Sequence, residues 1–307
     1  MKVVLAYICI ILIWSTTPLA IQFSNGSFSF LASVSIRMLI ALIICWFILI
    51  VSGKRLVEHR GDWRVFLAGA VGLFPNMALV YWSAQYIPSG LIAVILGMYP
   101  FFVGLFSVIL LKDNPFNATR LVALFTAITG LAVIHYEQLA LDDMAIWGVG
   151  GILLSSVNFA FGTVWLKKVG HSIGALRQLT GTMTIIAPCF LLTWFLFDGV
   201  IPLQADLSSV IGVLYLALAG SVLGGLTFIY VLKRVSVSVV SLITLITPVV
   251  AMSVGYIVAG EQVSYLVALG CGLILLSLAI YQGILAECFK YIVRRYVGTS
   301  RTVSSVN

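Results

Sequence analysis

Apolar residues fall in ten long runs along the chain, separated by short connections that are polar or contain glycine and proline. Each run has about the 17–25 residues that a helix needs to cross a bilayer, and no connection is long enough to hold a soluble domain. The pattern predicts an all-α membrane protein with ten transmembrane helices. The predicted spans are Val3–Phe23, Phe28–Val51, Val65–Tyr86, Leu91–Leu111, Arg120–Tyr136, Ile146–Leu166, Ala175–Phe197, Leu207–Tyr230, Val237–Gly260 and Val263–Ala286.

The segment that ends at Asp113 is the clearest sign of an internal repeat. Its two apolar runs and the turn between them return in the second half of the chain. There Pro248 takes the place of Pro100, and Glu261 takes the place of Asp113, with the same spacing from proline to acid. Few residues are identical, so the repeat is one of pattern. It divides the ten predicted helices into two sets of five.

Five helices in each repeat have a consequence for orientation. A unit with an odd number of crossings places the next unit upside down, so the two repeats are predicted to be inverted. Inverted halves can exchange conformations of similar energy, which is the basis of alternating access to a site near the midplane. The predicted domains are a first repeat over residues 1–138, a second over 139–282 and a basic cytoplasmic tail over 283–307.

Nearly all basic residues lie near the N-terminus, in alternate connections or in the C-terminal tail. If the N-terminus is cytoplasmic, every Lys and Arg except Arg37 and Arg177 lies on the cytoplasmic side, and the charged residues of the outer connections are all acidic. Such a bias predicts a multi-pass protein of the plasma membrane with both termini in the cytoplasm. The scattered positions also explain the net charge of +7 without a nucleic-acid partner. The predicted partners are the lipid bilayer and a small-molecule substrate.

The composition leads to the same class of protein. Of the 307 residues, 62% are hydrophobic and only 9% are charged, whereas about 25% are charged in a soluble domain. The five cysteines are scattered without a CxxC or Cys/His pair, so neither a metal nor a cofactor is predicted. The predicted helices contain no paired carboxylates, HExxH sequence or Ser/His dyad, which argues against an intramembrane enzyme.

Several short motifs resemble those of a known family. They are Trp14–Ala20 and Ser35–Arg37 in the first two predicted helices, Pro100 and Pro248, and the acids Asp113 and Glu261. Together they resemble the two EamA domains of the drug/metabolite transporter superfamily over essentially the whole chain, although Asp113 stands where glutamate is usual. The resemblance implies a ten-helix secondary transporter of the bacterial inner membrane that exports amino acids or other small metabolites. The alternative is a polytopic receptor or scaffold that transports nothing.

Side chains with polar or aromatic groups at membrane depth are the candidates for lining a substrate cavity, because unpaired polar groups are costly in lipid. Serine and threonine can instead bond to their own helix backbone, and asparagine can instead join two helices. A deep tryptophan fits either the core or a cavity wall. The candidates are Trp14, Thr16, Arg37, Asn76, Tyr99, Asn158, Thr244 and Thr247.

Arg37 is the most informative of these candidates. It lies about nine residues into the second predicted helix, roughly 13 Å from the outer end, and no Asp or Glu occurs in the middle of a predicted helix to pair with it. Its side chain can reach the outer surface, cap carbonyl groups of another helix, or bind an anionic group of a substrate. Arg177 lies closer to the cytoplasmic end of its helix and is predicted to extend to the membrane surface.

Overall fold

A computed structural model describes residues 2–141, 143–169, 173–200, 204–232, 234 and 243–283. All regular secondary structure in these ranges is helical, which confirms the all-α prediction. Seven stretches are long and apolar enough to cross a membrane, and three shorter apolar helices overlap the predicted fifth, ninth and tenth spans. In chain order the helices are α1 (Lys2–Ser24), α2 (Phe30–Val51), α3 (Asp62–Leu73), α4 (Asn76–Ser83), α5 (Ser89–Leu96), α6 (Tyr99–Phe106), α7 (Ala118–Leu141), α8 (Asp143–Val169), α9 (Ala175–Phe197), α10 (Leu207–Tyr215), α11 (Gly224–Leu232), α12 (Ile243–Ala259) and α13 (Tyr265–Tyr281).

Proline breaks two of the spans that the sequence predicts as continuous helices. The third span divides into α3 and α4 at Pro75, which has no N–H group to continue the helix. The fourth divides into α5 and α6, since Pro100 cannot donate to the carbonyl of Leu96, the last residue of α5. In the eighth span a π-helical segment, Leu216–Leu223, separates α10 from α11.

Corresponding helices of the two predicted repeats pack against each other in opposite directions. Along α2, Ser35 Oγ donates to the carbonyl of Phe190 at 2.9 Å, and Trp46 Nε1 donates to Thr184 Oγ1 at 3.0 Å. The partner position on α9 therefore falls as the position on α2 rises, which makes this pair antiparallel. The pair α7 and α13 is also antiparallel, because Arg120 lies over the ring of Tyr281 whereas Gly130 lies against Gly270. Helix α5 likewise contacts its counterpart α12.

The remaining packing follows the same twofold relation. Helix α1, the first of its repeat, packs against α10, α11 and α12, whereas α8, the first of the second repeat, packs against α3, α4, α5 and α6. Exchanging the two repeats converts one set of partners into the other, because α10 and α11 correspond to α3 and α4, and α12 corresponds to α5 and α6. The two halves are thus joined by equivalent contacts, and the core of the bundle is built by both.

One end of the bundle is closed by polar contacts between the halves. Glu261 accepts hydrogen bonds from the backbone N–H groups of Ser89 and Gly90, at 2.8 and 3.2 Å, where α5 begins. A carboxylate at this position satisfies donors that the first helical turn leaves unpaired. Ser27, between α1 and α2, donates a hydrogen bond to the carboxylate of Asp206, just before α10, and accepts one from the backbone N–H of the same residue. The second acid of the repeat pattern is therefore a contact between halves.

Candidate functional site

A cavity of about 260 Å³ lies in the centre of the bundle, with walls from both halves. Helices α1, α2, α3, α4, α5 and α6 contribute from the first repeat, and α8, α9, α11 and α12 from the second. Between α3, α8, α9 and α11 the cavity extends towards one end of these helices. At that end each helix has a lysine or arginine in its terminal turn or in the adjoining connection. Most of its wall is apolar, and a few polar side chains interrupt that surface.

Four aromatic side chains form a row along the cavity wall. The ring centres of Trp14 and Phe228 lie 5.1 Å apart, and those of Phe159 and Tyr99 lie 4.9 Å apart. Phe159 and Phe228 connect the two pairs at 6.5 Å. All four are half-buried, because one side of each ring packs on the bundle while the other faces the cavity. The row suits an apolar or aromatic ligand body.

Arg37 is the buried cationic side chain of the cavity, with 5% of its surface exposed. Its Nε donates to Ser221 Oγ at 2.8 Å, and its Nη1 donates to the hydroxyl of Tyr81 at 3.2 Å. The guanidinium carbon also lies 5.8 Å from the centre of the Tyr81 ring, within cation–π range. Both hydrogen-bond partners are neutral, so they orient the guanidinium without neutralising it.

The guanidinium of Arg37 lies against the π-helical segment between α10 and α11. This segment contains Ser221, and also Gly220, where a Cβ atom would lie 3.1 Å from Arg37 Nη2. A side chain at Gly220 would therefore crowd the free nitrogen. π-Helical turns are frequent at functional sites because they displace backbone and side chains from the regular helix.

Arg177, near the start of α9, has a different environment from Arg37. The prediction that its side chain extends to the membrane surface stays a prediction, and the residue is only 8% exposed because the connection before α3 covers it. Its Nη1 and Nη2 lie 2.6 Å from carboxylate oxygens of Glu58 and Asp62, which come from the connection before α3 and from its first residue. The sequence reading treated that connection as a basic loop and did not consider its acids as partners.

Comparison with known proteins gives a family for this architecture. The EamA-like transporter family matches the chain over residues 1–136 and 146–282, once for each repeat. The chain belongs to the EamA-like transporter family. This confirms the resemblance that the sequence motifs carry, and it makes the protein a membrane transporter by family rather than an enzyme.

Relatives and a solved structure extend this comparison. An uncharacterized transporter of Archaeoglobus fulgidus is 26% identical over 267 residues, which cover 87% of this chain and 94% of the relative. Protein PecM of Dickeya dadantii is 27% identical over 238 residues, covering 77% and 79%. The uncharacterized inner membrane transporter YedA of Escherichia coli K12 is 26% identical over 281 residues, covering 90% and 89%. A crystal structure covering 94% of this chain and 98% of its own has a TM-score of 0.65 at 19% identity, which supports the fold alone.

In this EamA-like transporter, five of the eight predicted site residues line the cavity. The distances above place three of them in two groups, Trp14 and Tyr99 in the aromatic row and Arg37 in the arginine site, and the other two also line the wall. Whether they bind a substrate stays a prediction. The five are Trp14, Arg37, Asn76, Tyr99 and Thr247.

Asn76 lines the cavity, but its amide is engaged within the protein. Its Nδ2 donates to the carbonyl of Gly72 at 2.9 Å, across the break between α3 and α4, and its Oδ1 accepts from the hydroxyl of Ser155 on α8. Of the two roles left open by the sequence, the geometry favours the structural one. The amide replaces a helix bond that Pro75 interrupts and joins two helices of opposite repeats.

The remaining three predicted residues are placed otherwise. Thr16 does not line the cavity, because its hydroxyl bonds to the carbonyl of Leu12 at 2.9 Å and to the hydroxyl of Tyr215 at 2.6 Å. Asn158 is also absent from the wall, and its Oδ1 is buried with no partner among the described residues. The side chain of Thr244 lies outside the described part of the structure.

Several lining residues were not among the eight predicted candidates. Ser156, two residues before the candidate Asn158, is fully buried and its hydroxyl has no partner in the described ranges. Phe159 and Phe228 look like ordinary membrane-helix residues in the sequence, and only their ring contacts distinguish them. Gln178 directly follows Arg177, and Ser221 directly follows Gly220. A helical-wheel projection of α9 and of the eighth span would have placed both side chains on interior faces.

Proposed function

We propose that this protein is a secondary transporter that exports amino acids or other small metabolites by alternating access. The observation that carries the proposal is the central cavity, which lies between two halves whose corresponding helices α2 and α9, and α7 and α13, run antiparallel. A site shared by inverted halves can be presented to either side of the membrane by a change in how the halves meet. The cavity volume of about 260 Å³ is suited to a small solute.

The proposed topology has ten membrane crossings, with both termini in the cytoplasm of a bacterial cell and the protein in the inner membrane. The seven long spans and three shorter apolar helices support this number, and the confinement of basic residues to alternate connections supports the orientation. YedA, the Escherichia coli relative, is named as an inner membrane transporter. In this topology the two repeats cross the membrane in opposite directions.

The direction of transport is inferred from the asymmetry between the two ends. Glu261 joins the halves at the acidic, outer end, whereas its counterpart Asp113 at the basic end is exposed. The cavity continues towards the basic ends of its helices. We infer that this conformation loads solute from the cytoplasm, as an exporter must before it opens outwards.

A receptor or scaffold without transport is the rival function. Such a protein has no need of a cavity, and its midplane would be filled by large apolar side chains as in any membrane helix bundle. The space between the halves, with an arginine in its wall that has no acidic partner among the described residues, favours a protein that takes up and releases a solute.

Flux into proteoliposomes tests the proposal. The purified protein is reconstituted, its folded state is verified by circular dichroism, and counterflow of radiolabelled amino acids is measured in vesicles preloaded with the same unlabelled compound. We expect at least one compound to accumulate transiently above the level in protein-free vesicles. No counterflow with any proteinogenic amino acid or related small metabolite, from protein shown to be folded, would contradict the proposed function.

A further inference from the structure

We propose that Arg37 is the anion-binding residue of the cavity, and that the solute carries a carboxylate beside an apolar body. This proposal rests on the proposed transport function, because it names the substrate class of the same cavity. Of the three roles that the sequence leaves open for Arg37, it selects the binding of an anionic group of the substrate.

The positive charge of Arg37 is buried and has no acidic partner in the described ranges. Both ion pairs found there belong to Arg177, which faces two carboxylates. Burying a charge is costly unless it is paired, and the fold does pair the buried arginine of α9. The hydroxyls of Ser221 and Tyr81 provide hydrogen bonds to Arg37 but no negative charge. An anion that enters the cavity would provide it.

The geometry leaves one nitrogen of Arg37 available to a solute. Nε and Nη1 are engaged, so the plane of the guanidinium is fixed, while Nη2 has no hydrogen-bond partner in the part of the chain that is described. Gly220 leaves the space around this nitrogen free, since a Cβ there would stand 3.1 Å away. The hydroxyl of Ser156 is a second buried donor in the same cavity without a partner among the described residues.

The rest of the wall defines the remainder of the solute. The aromatic row of Trp14, Phe228, Phe159 and Tyr99 offers apolar and aromatic surface, and carboxylate recognition by arginine is charge-assisted. A cavity of about 260 Å³ limits the solute to a small molecule. The class that fits is a small amphipathic carboxylate, such as an amino acid or 2-oxo acid with an apolar or aromatic side chain.

Ligand-induced thermal stabilisation tests this class. The melting temperature Tm of the purified full-length protein in detergent is measured with apolar and aromatic amino acids and, in parallel, with their carboxamides. At least one carboxylate is expected to raise Tm while its carboxamide does not. In Arg37→Gln the concentration that gives half of this shift should rise at least about tenfold, as expected when one charge-assisted hydrogen bond is lost. Arg37→Lys keeps the charge and should recover part of the effect.

Two further variants separate recognition from folding. Gly220→Ala crowds Nη2 without removing the charge and should also weaken the carboxylate effect. Arg177→Gln is the matched control, because it removes an arginine that is already neutralised by Glu58 and Asp62. It should lower Tm in the absence of solute but leave the carboxylate-dependent shift in place. If Arg37→Gln shows no cooperative unfolding, Arg37→Lys and Gly220→Ala carry the test.

Three results would overturn the anion site. They are an unchanged half-saturation in the Arg37 variants, equal stabilisation by carboxamides and carboxylates, and no stabilisation by any carboxylate. Counterflow of the same compounds keeps this proposal distinct from the transport function. A carboxylate-specific shift without flux would contradict transport and leave the anion site standing. Equal flux of carboxamides and carboxylates would contradict the anion site and leave transport standing.

Discussion

At the scale of single residues, the structure separates side chains that hold the bundle together from those that face the cavity. Asn76 illustrates the first group, since both ends of its amide have partners within the protein. Arg37 illustrates the second, because one nitrogen of its guanidinium is without a partner in the described ranges. The two residues looked alike in the sequence, as polar groups at membrane depth. Only their hydrogen-bond partners distinguish them.

Substitution of Asn76 tests this distinction through stability. Asn76→Ala leaves the hydroxyl of Ser155 and the carbonyl of Gly72 without their partner, so we expect a loss of about 1–3 kcal/mol in the free energy of unfolding. Ser155→Ala serves as the second arm of a double-mutant cycle in detergent. The two losses should be less than additive by about 0.5 kcal/mol or more, since the residues share one hydrogen bond. Strict additivity would show that Asn76 does not act through Ser155.

At the scale of helices, the sequence predicted where spans lie better than what interrupts them. The bounds of α9 agree with the predicted span, and those of α2 end at the predicted residue, because long apolar runs leave little choice in lipid. The breaks at Pro75 and before Pro100 were not predicted as such, since proline can also bend a membrane helix without ending it. The partners of Arg177 depend on how a connection folds back over α9, which periodicity does not encode.

The close approach of α3 and α8 depends on two glycines, and a matched pair of variants tests it. A Cβ on Gly162 would collide with the backbone of Gly72, whereas a Cβ on Gly150 of the same helix would meet nothing within 4 Å. Gly162→Ala should therefore destabilise the protein by about 1–3 kcal/mol through overpacking. Gly150→Ala should be neutral or stabilising by up to about 1 kcal/mol, because alanine favours the helix.

The comparison is made by thermal or denaturant unfolding in one detergent. Equal effects of the two substitutions would contradict the tight crossing. The pair also controls for helix propensity, since both changes replace glycine by alanine within α8. Small residues at such crossings allow backbones in membranes to approach closely.

At the scale of the whole molecule, the central claim is that the halves move against each other around the cavity. The repeat pattern was visible in the sequence as a proline and an acid at equal spacing, and the inversion followed from helix number and charge. The closure itself was not predictable from pattern. It depends on Glu261 reaching the backbone at the start of α5 and on the packing of α5 against α12. Glu261 is thus a contact between halves as well as a mark of the repeat.

Cross-linking α5 to α12 tests this claim most directly. A Cβ on Gly255 would lie 3.1 Å from Ser89 Oγ, so Ser89→Cys and Gly255→Cys can be joined at the outer end in a background without the native cysteines. The same Cβ would displace the carboxylate of Glu261, which would lie 2.3 Å away, so counterflow by the Gly255→Cys single variant is the required control. The account predicts that oxidation abolishes counterflow, that a reductant restores it, and that neither single variant responds to oxidation. Full counterflow with the cross-link shown to be complete would contradict alternating access through this cavity.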